Sequence, residues 1–175
     1  MLDKKYNTQE KEAKWLNYWN DNNIYKFERD GREVFSIDTP PPTVNGKIHI
    51  GHIFSYTQTE MIARYKRIRG YNVFYPFGFD DNGLPSERLI EKEQGKRAHE
   101  IGREAFSNLC YETTDKYEEE FKKLFSMMGV STDWDIHYKT VSPQTIKISQ
   151  KSFLDLVQKG YCYHKESPAL WCNEC

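Results

Sequence analysis

The sequence predicts an α/β fold with a parallel sheet, and three observations support this prediction. Two short runs rich in β-branched and aromatic residues, Val34–Asp38 and Asn72–Phe77, have the composition of strands. A helical pattern from about Ile50 to Arg69 lies between them. Loops rich in proline or glycine follow both runs. A strand, a helix and a second strand in this order form a βαβ unit, whose strands are parallel and whose crossover is right-handed.

Length and composition fit about one folded domain. The chain has 175 residues and a formal net charge of −1, and 15% of its residues are aromatic, a supply that disordered chains lack. Near-neutral charge argues against a general polyanion binder. No run approaches the roughly 18 apolar residues that span a bilayer, and the start lacks the apolar stretch of a secretory signal. We therefore expect a cytoplasmic protein with reduced cysteines and no membrane partner.

The chain begins with a predicted helix and continues into the first strand. The helix runs from about Thr8, a suitable N-cap, to Asn22, and its apolar residues share one face: Trp15, Leu16 and Trp19. A turn signal then leads into the strand at Val34–Asp38, which we expect to be buried. Three consecutive prolines follow, and because proline excludes both helix and ladder pairing, residues 39–46 are predicted to form a stiff, extended loop.

The predicted crossover helix ends at Gly70, and its apolar residues form a stripe at helical spacing: Phe54, Met61, Tyr65 and Ile68. After the second strand, residues 78–83 form a turn-rich loop. The apolar spacing from Ile101 to Met128 predicts one long helix or a broken pair, and a last helix runs from about Pro143 to Gly160. Residues 161–164 are a candidate third strand. We expect functional residues at the carboxyl ends of the first two strands.

The tetrapeptide His49-Ile50-Gly51-His52 opens the predicted crossover helix. Free N–H groups and the helix dipole favour a phosphate at such a position, glycine permits close approach of a ligand, and both imidazoles can donate hydrogen bonds to phosphate oxygens. The tetrapeptide therefore fits a nucleotide site. Transfer of a phosphoryl or adenylyl group depends mainly on positioning and on stabilisation of charge, so the protein need not supply a nucleophile. Without their context, two histidines near a glycine are more often metal ligands, surface residues or caps.

The segment Pro40–His52 resembles the adenylate-forming signature of class I aminoacyl-tRNA synthetases, and the resemblance continues through Tyr71–Pro85 and reaches Leu170–Cys172. Within this family the valine-specific members are most similar and the isoleucine-specific members second. The run 78–83 departs from the Gly-Thr-Asp-His-Ala-Gly of common valine enzymes, and Gly83-Leu84-Pro85 with Glu87 is closer to the isoleucine enzymes. Their substrates differ by one methylene, worth only about 1–3 kcal/mol in a pocket.

The resemblance implies a role for each matching residue. It implies that His49 and His52 contact the ATP phosphates and stabilise the attacked α-phosphate, and that Gly51 leaves room for the adenine. It further implies an amino-acid site lined by backbone groups of Pro41, Pro42 and Thr43, with Asp80 accepting the α-ammonium group. The substrates and partners implied are ATP with Mg²⁺, valine and tRNA(Val). Asp81, in contrast, is interpreted as a turn residue.

Three parts are predicted along the chain. Residues 1–32 are predicted to form an amino-terminal helical segment and residues 33–165 the first half of a Rossmann-like catalytic domain. Residues 166–175 would be the start of a zinc knuckle and editing insertion, as the resemblance implies. The C-x2-C pair Cys172 and Cys175 has the spacing of half a zinc site. The resemblance implies that these cysteines bind Zn²⁺ in a longer parent chain. In this chain alone zinc is not expected, unless Cys162 and His164 complete a site.

Other interpretations remain open at this stage. The family's second signature, a Lys-Met-Ser-Lys-Ser loop, is absent from these residues, so the chain alone is expected to bind at best, with the remainder of a synthetase as its partner. The alternatives are a free-standing nucleotidyltransferase and a non-catalytic binding fragment. The charged runs are interpreted as structural: the run 117–120 as a solvated helix face, and Arg64, Lys66, Arg67 and Arg69 as cations that complement a helix dipole rather than contact tRNA.

Overall fold

The computed structural model describes residues 5–46 and 48–172. Its helices are α1 (Thr8–Asp21), α2 (Ile50–Ile68), α3 (Leu84–Gln94), α4 (Ala98–Ile101), α5 (Arg103–Met127) and α6 (Pro143–Gln158). Its strands are β1 (Val34–Ser36), β2 (Asn72–Phe74), β3 (Gly78–Phe79) and β4 (Tyr138–Lys139), and a 3-10 turn spans Trp134–Ile136. No helix within these described residues is both long and apolar enough to cross a membrane.

The βαβ unit is confirmed. β1 pairs in parallel with β2, with Val34 opposite Asn72, and α2 makes the crossover between them. The second strand is shorter than predicted, because Pro76 has no N–H with which to continue a ladder. The chain instead forms β3, which pairs in parallel with β4. The prediction that residues 78–83 are only a turn was therefore wrong for Gly78 and Phe79.

An aromatic cluster forms the core beneath the two strand pairs. Its fully buried members are Tyr75, Phe77, Phe79, Phe121 and Phe125. The Phe125 ring lies 4.9 Å from that of Phe77 and 4.8 Å from that of Tyr56, centroid to centroid, in tilted or edge-on geometry. Such contacts add to the burial of large apolar surfaces. The core thus joins α2, α5 and the segment that leads into β3.

One prediction of burial was wrong, and the apolar stripe of the crossover helix is exposed. β1 is not a buried strand, since Val34 is 52% exposed. The predicted apolar stripe of α2 faces outwards, and its members are at least 58% exposed: Phe54, Met61, Tyr65 and Ile68. The buried face of this helix carries Tyr56, Glu60 and Ala63 instead. Periodicity located the helix correctly but did not identify the face that packs, because Glu60 is buried with its own cationic partner.

The remaining elements differ in how well they were predicted. Of the two alternatives for residues 101–128, one long helix is confirmed, since α5 runs without a break from Arg103 to Met127. The short α4 precedes it and ends at Gly102, whose φ is 90°. α6 begins as predicted, but residues 161–164 form no strand and α3 was not predicted. The N-cap of α1 is Asn7, whose side chain accepts the Glu10 N–H at 3.4 Å, rather than Thr8.

Candidate active site

The proline loop and the end of β3 are joined by backbone hydrogen bonds. The Asp80 N–H donates to the Pro42 carbonyl at 2.9 Å, and the Val44 N–H donates to the Asp80 carbonyl at 2.8 Å. Thr43 and Asp80 consequently form a parallel bridge. Although the prolines cannot donate, the Pro42 carbonyl still accepts, and this bond places the loop beside Asp80.

Three donors hold the Asp80 carboxylate. The Thr43 hydroxyl donates to Oδ2, and both the Thr140 hydroxyl and the Asn82 N–H donate to Oδ1, each at 3.2 Å. Thr140 follows β4, and its own N–H donates to the Phe79 carbonyl. The parallel β3–β4 pair therefore carries an orienting hydroxyl to Asp80. The resemblance pointed to Asp80 but gave no indication of Thr140.

His49 and His52 together cap the start of α2. The His49 Nδ1 accepts the Gly51 N–H at 3.1 Å, and the His52 Nδ1 accepts the His49 N–H at 3.4 Å. Their rings lie 4.1 Å apart, centroid to centroid. Because a neutral imidazole that accepts through Nδ1 carries its proton on Nε2, both rings have a donor left for a ligand. Capping, which the sequence interpretation treated as an alternative to function, is compatible with it.

Gly51 is in close contact with one of these rings. A Cβ at this position would lie 2.9 Å from the His49 Cε1 atom. The resemblance implied that Gly51 makes room for adenine, and that role stays a prediction. The structure provides a separate reason for glycine, since the capping position of the His49 ring requires it.

A cleft of about 550 Å³ collects most of the predicted site residues. Its lining includes Pro41, Pro42 and Thr43 on one side, and the helix start with His49, Gly51 and His52 on the other. Asp80 does not line this cleft, but it accepts a hydrogen bond from the hydroxyl of Thr43, which does. The Tyr56 hydroxyl, at the base, donates to the Pro40 carbonyl at 2.6 Å, so the helix and the proline loop are fastened together.

Electrostatics favour a neutral His52. Burial, followed by the neighbouring His49, lowers the pKa of this imidazole below its usual value. A neutral ring donates from Nε2 without requiring a counter-ion. The cleft thus has imidazole donors and a helix N-terminus in its lining, together with Thr43, which is bonded to Asp80. This arrangement suits a phosphate-bearing ligand beside a cationic group.

Two carboxyl groups behind the cleft were misinterpreted from the sequence. The run 117–120 is not wholly solvated, because Glu118 is 1% exposed. Its side chain lies against that of Asp81, which is more than a turn residue. The spacing of Glu118 with Phe121 and Phe125, at i, i+3 and i+7, is the signal that would have placed it on the buried face.

The basic cluster of α2 does more than complement a dipole. Arg64 donates to Glu60 at 2.6 Å and to the Gly129 carbonyl at 2.5 Å, and Arg67 donates to the Ser131 carbonyl at 2.5 Å. Lys66 lies over the Phe35 ring, 4.3 Å from its centroid. These cations tie the end of α2 to residues 129–131 and to β1.

The predicted zinc ligands are only partly described. Cys172 is exposed and Cys162 is half-buried, whereas Cys175 lies outside the described residues. Within residues 5–46 and 48–172, no group of three or more His, Cys, Asp or Glu side chains is arranged to hold a metal ion. Zinc binding stays a prediction.

Comparisons with known proteins match nearly the whole chain. A family model described as tRNA synthetases class I (I, L, M and V) matches residues 14–175. The valine–tRNA ligase of the Wolbachia endosymbiont of Brugia malayi is 50% identical over 171 residues, which is 98% of this chain and 20% of that protein. That of Rickettsia akari is 49% identical over 170 residues, 96% of this chain and 21% of that protein. The chain thus spans about a fifth of the length of the curated relatives it matches.

A solved structure shares the fold. The LeuRS agnB2 of Agrobacterium radiobacter K84, in a ternary complex with tRNA and LeuAMS, superposes with a TM-score of 0.74 at 27% identity. The match covers 89% of this chain and 18% of that one. The parallel strands, the capped crossover helix and the loops at the strand ends are therefore parts of a known catalytic-domain architecture, and this chain belongs to the class I tRNA synthetases of the I, L, M and V group.

Proposed function

We propose that the chain is the amino-terminal part of a valine–tRNA ligase, which activates valine with ATP and transfers it to tRNA(Val). Identity of about 50% to valine–tRNA ligases over nearly the whole chain supports the amino acid and the tRNA. The observation that carries the chemistry is the cleft, which is lined by both histidines of the helix start and by Thr43, the bridge partner of Asp80. In the isolated chain we expect binding rather than turnover.

The activation step follows from this geometry. Valine would place its ammonium group on the Asp80 carboxylate, which Thr43 and Thr140 orient, and its carboxylate would point towards the helix start. A carboxylate oxygen attacks the α-phosphorus of ATP, the bond to the β-phosphate oxygen breaks, and pyrophosphate leaves. His49 and His52 donate from Nε2 to the phosphate oxygens on which charge develops. Pro41, Pro42 and Thr43 would line the amino-acid site, and Gly51 would lie beneath the adenine.

The remaining assignments complete the proposal. The described residues that line the cleft include no carboxylate, so Mg²⁺ would be bound through the ATP phosphates rather than by these side chains. Cys172 and Cys175 would supply two ligands of a Zn²⁺ site completed elsewhere in the parent. The protein would act in the cytoplasm, where tRNA is charged.

The decisive experiment uses a chimera. Residues 1–175 replace the matching segment of the Wolbachia pipientis wMel valine–tRNA ligase, to which the chain is 50% identical. We expect valine-dependent exchange of pyrophosphate into ATP. His49→Asn and His52→Gln keep a side chain able to cap the helix but remove the imidazole donor, so each should lower the exchange rate about 10²–10³-fold. His99→Ala, outside the cleft, is the matched control and should have no effect.

Substrate assignment is tested in the same chimera. Asp80→Asn should raise the KM for valine more than that for ATP, since it removes the counter-ion of the ammonium group. Equal losses for both substrates would contradict that role, and exchange that is insensitive to both histidine substitutions would overturn the proposal. If isoleucine supports exchange better than valine does, the isoleucine alternative replaces the valine assignment.

A further inference from the structure

Two buried carboxylate oxygens, Asp81 Oδ1 and Glu118 Oε1, accept no hydrogen bond, although Lys139 Nζ forms an ion pair with the second at 3.0 Å. Within the described part of the chain, the buried side-chain oxygens in this state are Asp81 Oδ1, Glu118 Oε1 and the Tyr75 hydroxyl. The two carboxyl groups are in hydrogen-bond contact with each other. Unsatisfied buried acceptors are costly, about 1–3 kcal/mol each and more when charged. Two carboxylates can only accept hydrogen bonds, so a bond between these two groups requires a proton on one of them.

The charges around the pair do not balance. On α5, Asp115 and Glu118 carry carboxyl groups, and Asp81 adds a third. Lys139 on β4 faces them, with its Nζ 3.0 Å from Glu118 Oε1 and bonded to Asp115 as well. One ammonium group does not offset three carboxylates, two of which belong to half-buried or buried residues. A proton on one carboxyl group relieves the excess, as in other carboxyl pairs.

We propose that Asp81 and Glu118 share one proton, and that this carboxyl–carboxyl hydrogen bond fastens loop 80–83 to α5 and so positions Asp80 for the amino acid. This inference rests on the proposed function for the role of Asp80. Asp81 and Glu118 are positioning residues. They reach Asp80 through Thr140, whose hydroxyl accepts the Asp81 N–H at 3.0 Å and donates to Asp80 Oδ1 at 3.2 Å.

The electrostatic environment supports the shared proton. Burial, and next the charge of Glu118, raise the pKa of Asp81 to about 7, and burial also raises the pKa of Glu118. The proton therefore stays in place under mildly acidic conditions and leaves near neutrality. Because the folded-state pKa lies above the ordinary value of about 4, the stabilisation is fully present below pH ~4 and is lost as the pH rises through about 7.

A route for the proton to solvent is present. Asp81 lines a second cavity of about 260 Å³, between the loop and α5. The other titratable groups near the pair come from the elements packed around it: Asp80 on the loop, Glu87 on α3, Asp115, Cys110 and Tyr111 on α5, and Lys139 on β4. Lys139 favours the charged forms of both carboxyl groups, so the shared proton depends on burial and on carboxyl repulsion outweighing this ammonium group.

The first test needs no substrate. In the 175-residue chain with ¹³C-labelled aspartate, the Asp81 Cγ signal, assigned by its absence from Asp81→Asn, should titrate with a midpoint near 7. In Glu118→Gln the neighbouring charge is replaced by an amide that donates to Asp81, so the midpoint should fall, while burial of Asp81 still opposes its ionisation. A wild-type midpoint below about 5, or one that Glu118→Gln leaves unchanged, overturns the shared proton.

The second test measures positioning in the chimera. Loss of the proton should raise the KM for valine about tenfold between about pH 6 and pH 8, with little change in the KM for ATP, because a group with a pKa of about 7 is mostly ionised at the upper pH. Asp81→Asn, whose amide donates permanently to Glu118, should flatten this rise. Glu118→Gln serves if Asp81→Asn does not fold. Asp115→Asn, in the exposed carboxyl group of the cluster, is the matched control and should keep the rise.

The outcomes separate the two proposals. A midpoint near 7 with no valine-dependent exchange supports the carboxyl pair and sinks the proposed function. Normal exchange with a KM for valine that does not depend on pH, or that still rises in Asp81→Asn and in Glu118→Gln, overturns the positioning role and leaves the proposed function intact.

Discussion

The side chains at the start of α2 cap the helix, and in the proposed function they also bind the ligand. His49 uses Nδ1 to cap the helix, which leaves Nε2 for a ligand, and Gly51 provides the space in which the ring can do so. A capping histidine is held by the backbone in one orientation. The donor is thus in place before substrate arrives, and less conformational entropy is lost on binding.

A single hydroxyl at the base of the cleft can be tested directly. Tyr56→Phe removes the 2.6 Å hydrogen bond to the Pro40 carbonyl and leaves that carbonyl without its donor. We expect the free energy of unfolding to fall by about 1 kcal/mol, measured by urea denaturation. Tyr65→Phe is the control, because Tyr65 is 58% exposed on the opposite face of the same helix. Equal effects of the two substitutions would contradict the buried bond.

Elements bounded by strong local signals were predictable, and others were not. The crossover helix lies between a proline loop and Gly70, and α6 starts at Ser142-Pro143, where the serine side chain accepts the Thr145 N–H. α3 was missed because its start, Gly83-Leu84-Pro85, was absorbed into a turn. β3 and β4 are two residues each, and they exist only because they meet each other across the fold. No local pattern specifies such a pair.

The sequence predicted Thr8 as the N-cap of α1, whereas the structure has Asn7 in that position. Asn7→Ala should destabilise this helix by about 0.5–2 kcal/mol, since the Asn7 side chain accepts the Glu10 N–H. Thr8→Ala should have no such cost, because Thr8 is the first residue of the helix rather than its cap. Amide hydrogen exchange in the first turn measures the difference. Faster exchange in Thr8→Ala than in Asn7→Ala would restore the prediction made from the sequence.

At the scale of the whole molecule, burial is concentrated in the aromatic cluster, and several helices remain open. Phe125 is fully buried among aromatic rings, whereas α6 has no buried residue and Leu154 is 60% exposed. The apolar spacing of these two helices looks alike in the sequence. Periodicity in the sequence shows that one face of a helix is apolar, but it does not show whether another element packs against that face.

This contrast predicts unequal costs of truncation. Phe125→Ala should lower the free energy of unfolding by about 3–5 kcal/mol, because it opens a cavity between Tyr56 and Phe77. Leu154→Ala should change it by no more than about 0.5 kcal/mol. Chemical denaturation of both variants of the 175-residue chain tests this, and a large loss in Leu154→Ala would show that α6 is covered in solution.

In the candidate site, too, sequence patterns did not reveal contacts between residues that are far apart in the chain. Resemblance named Asp80 and six of the residues that line the cleft, because the motifs are contiguous. It did not reveal Thr140, Asp81 or Glu118 as their supports, since each acts through a partner that the fold brings from far along the chain. Burial of a glutamate is not visible in a run of charged residues unless the apolar positions around it are considered.

The hydroxyls that hold Asp80 come from residues 37 and 60 positions away in the sequence, on either side of it. During synthesis on the ribosome, at about 5–20 residues per second, Thr140 is added roughly 3–12 s after Asp80. Until then the loop after β3 has neither its strand partner nor its second hydroxyl. The nascent chain therefore spends this interval with the Asp80 carboxylate within reach of Thr43 and Asn82 but without Thr140.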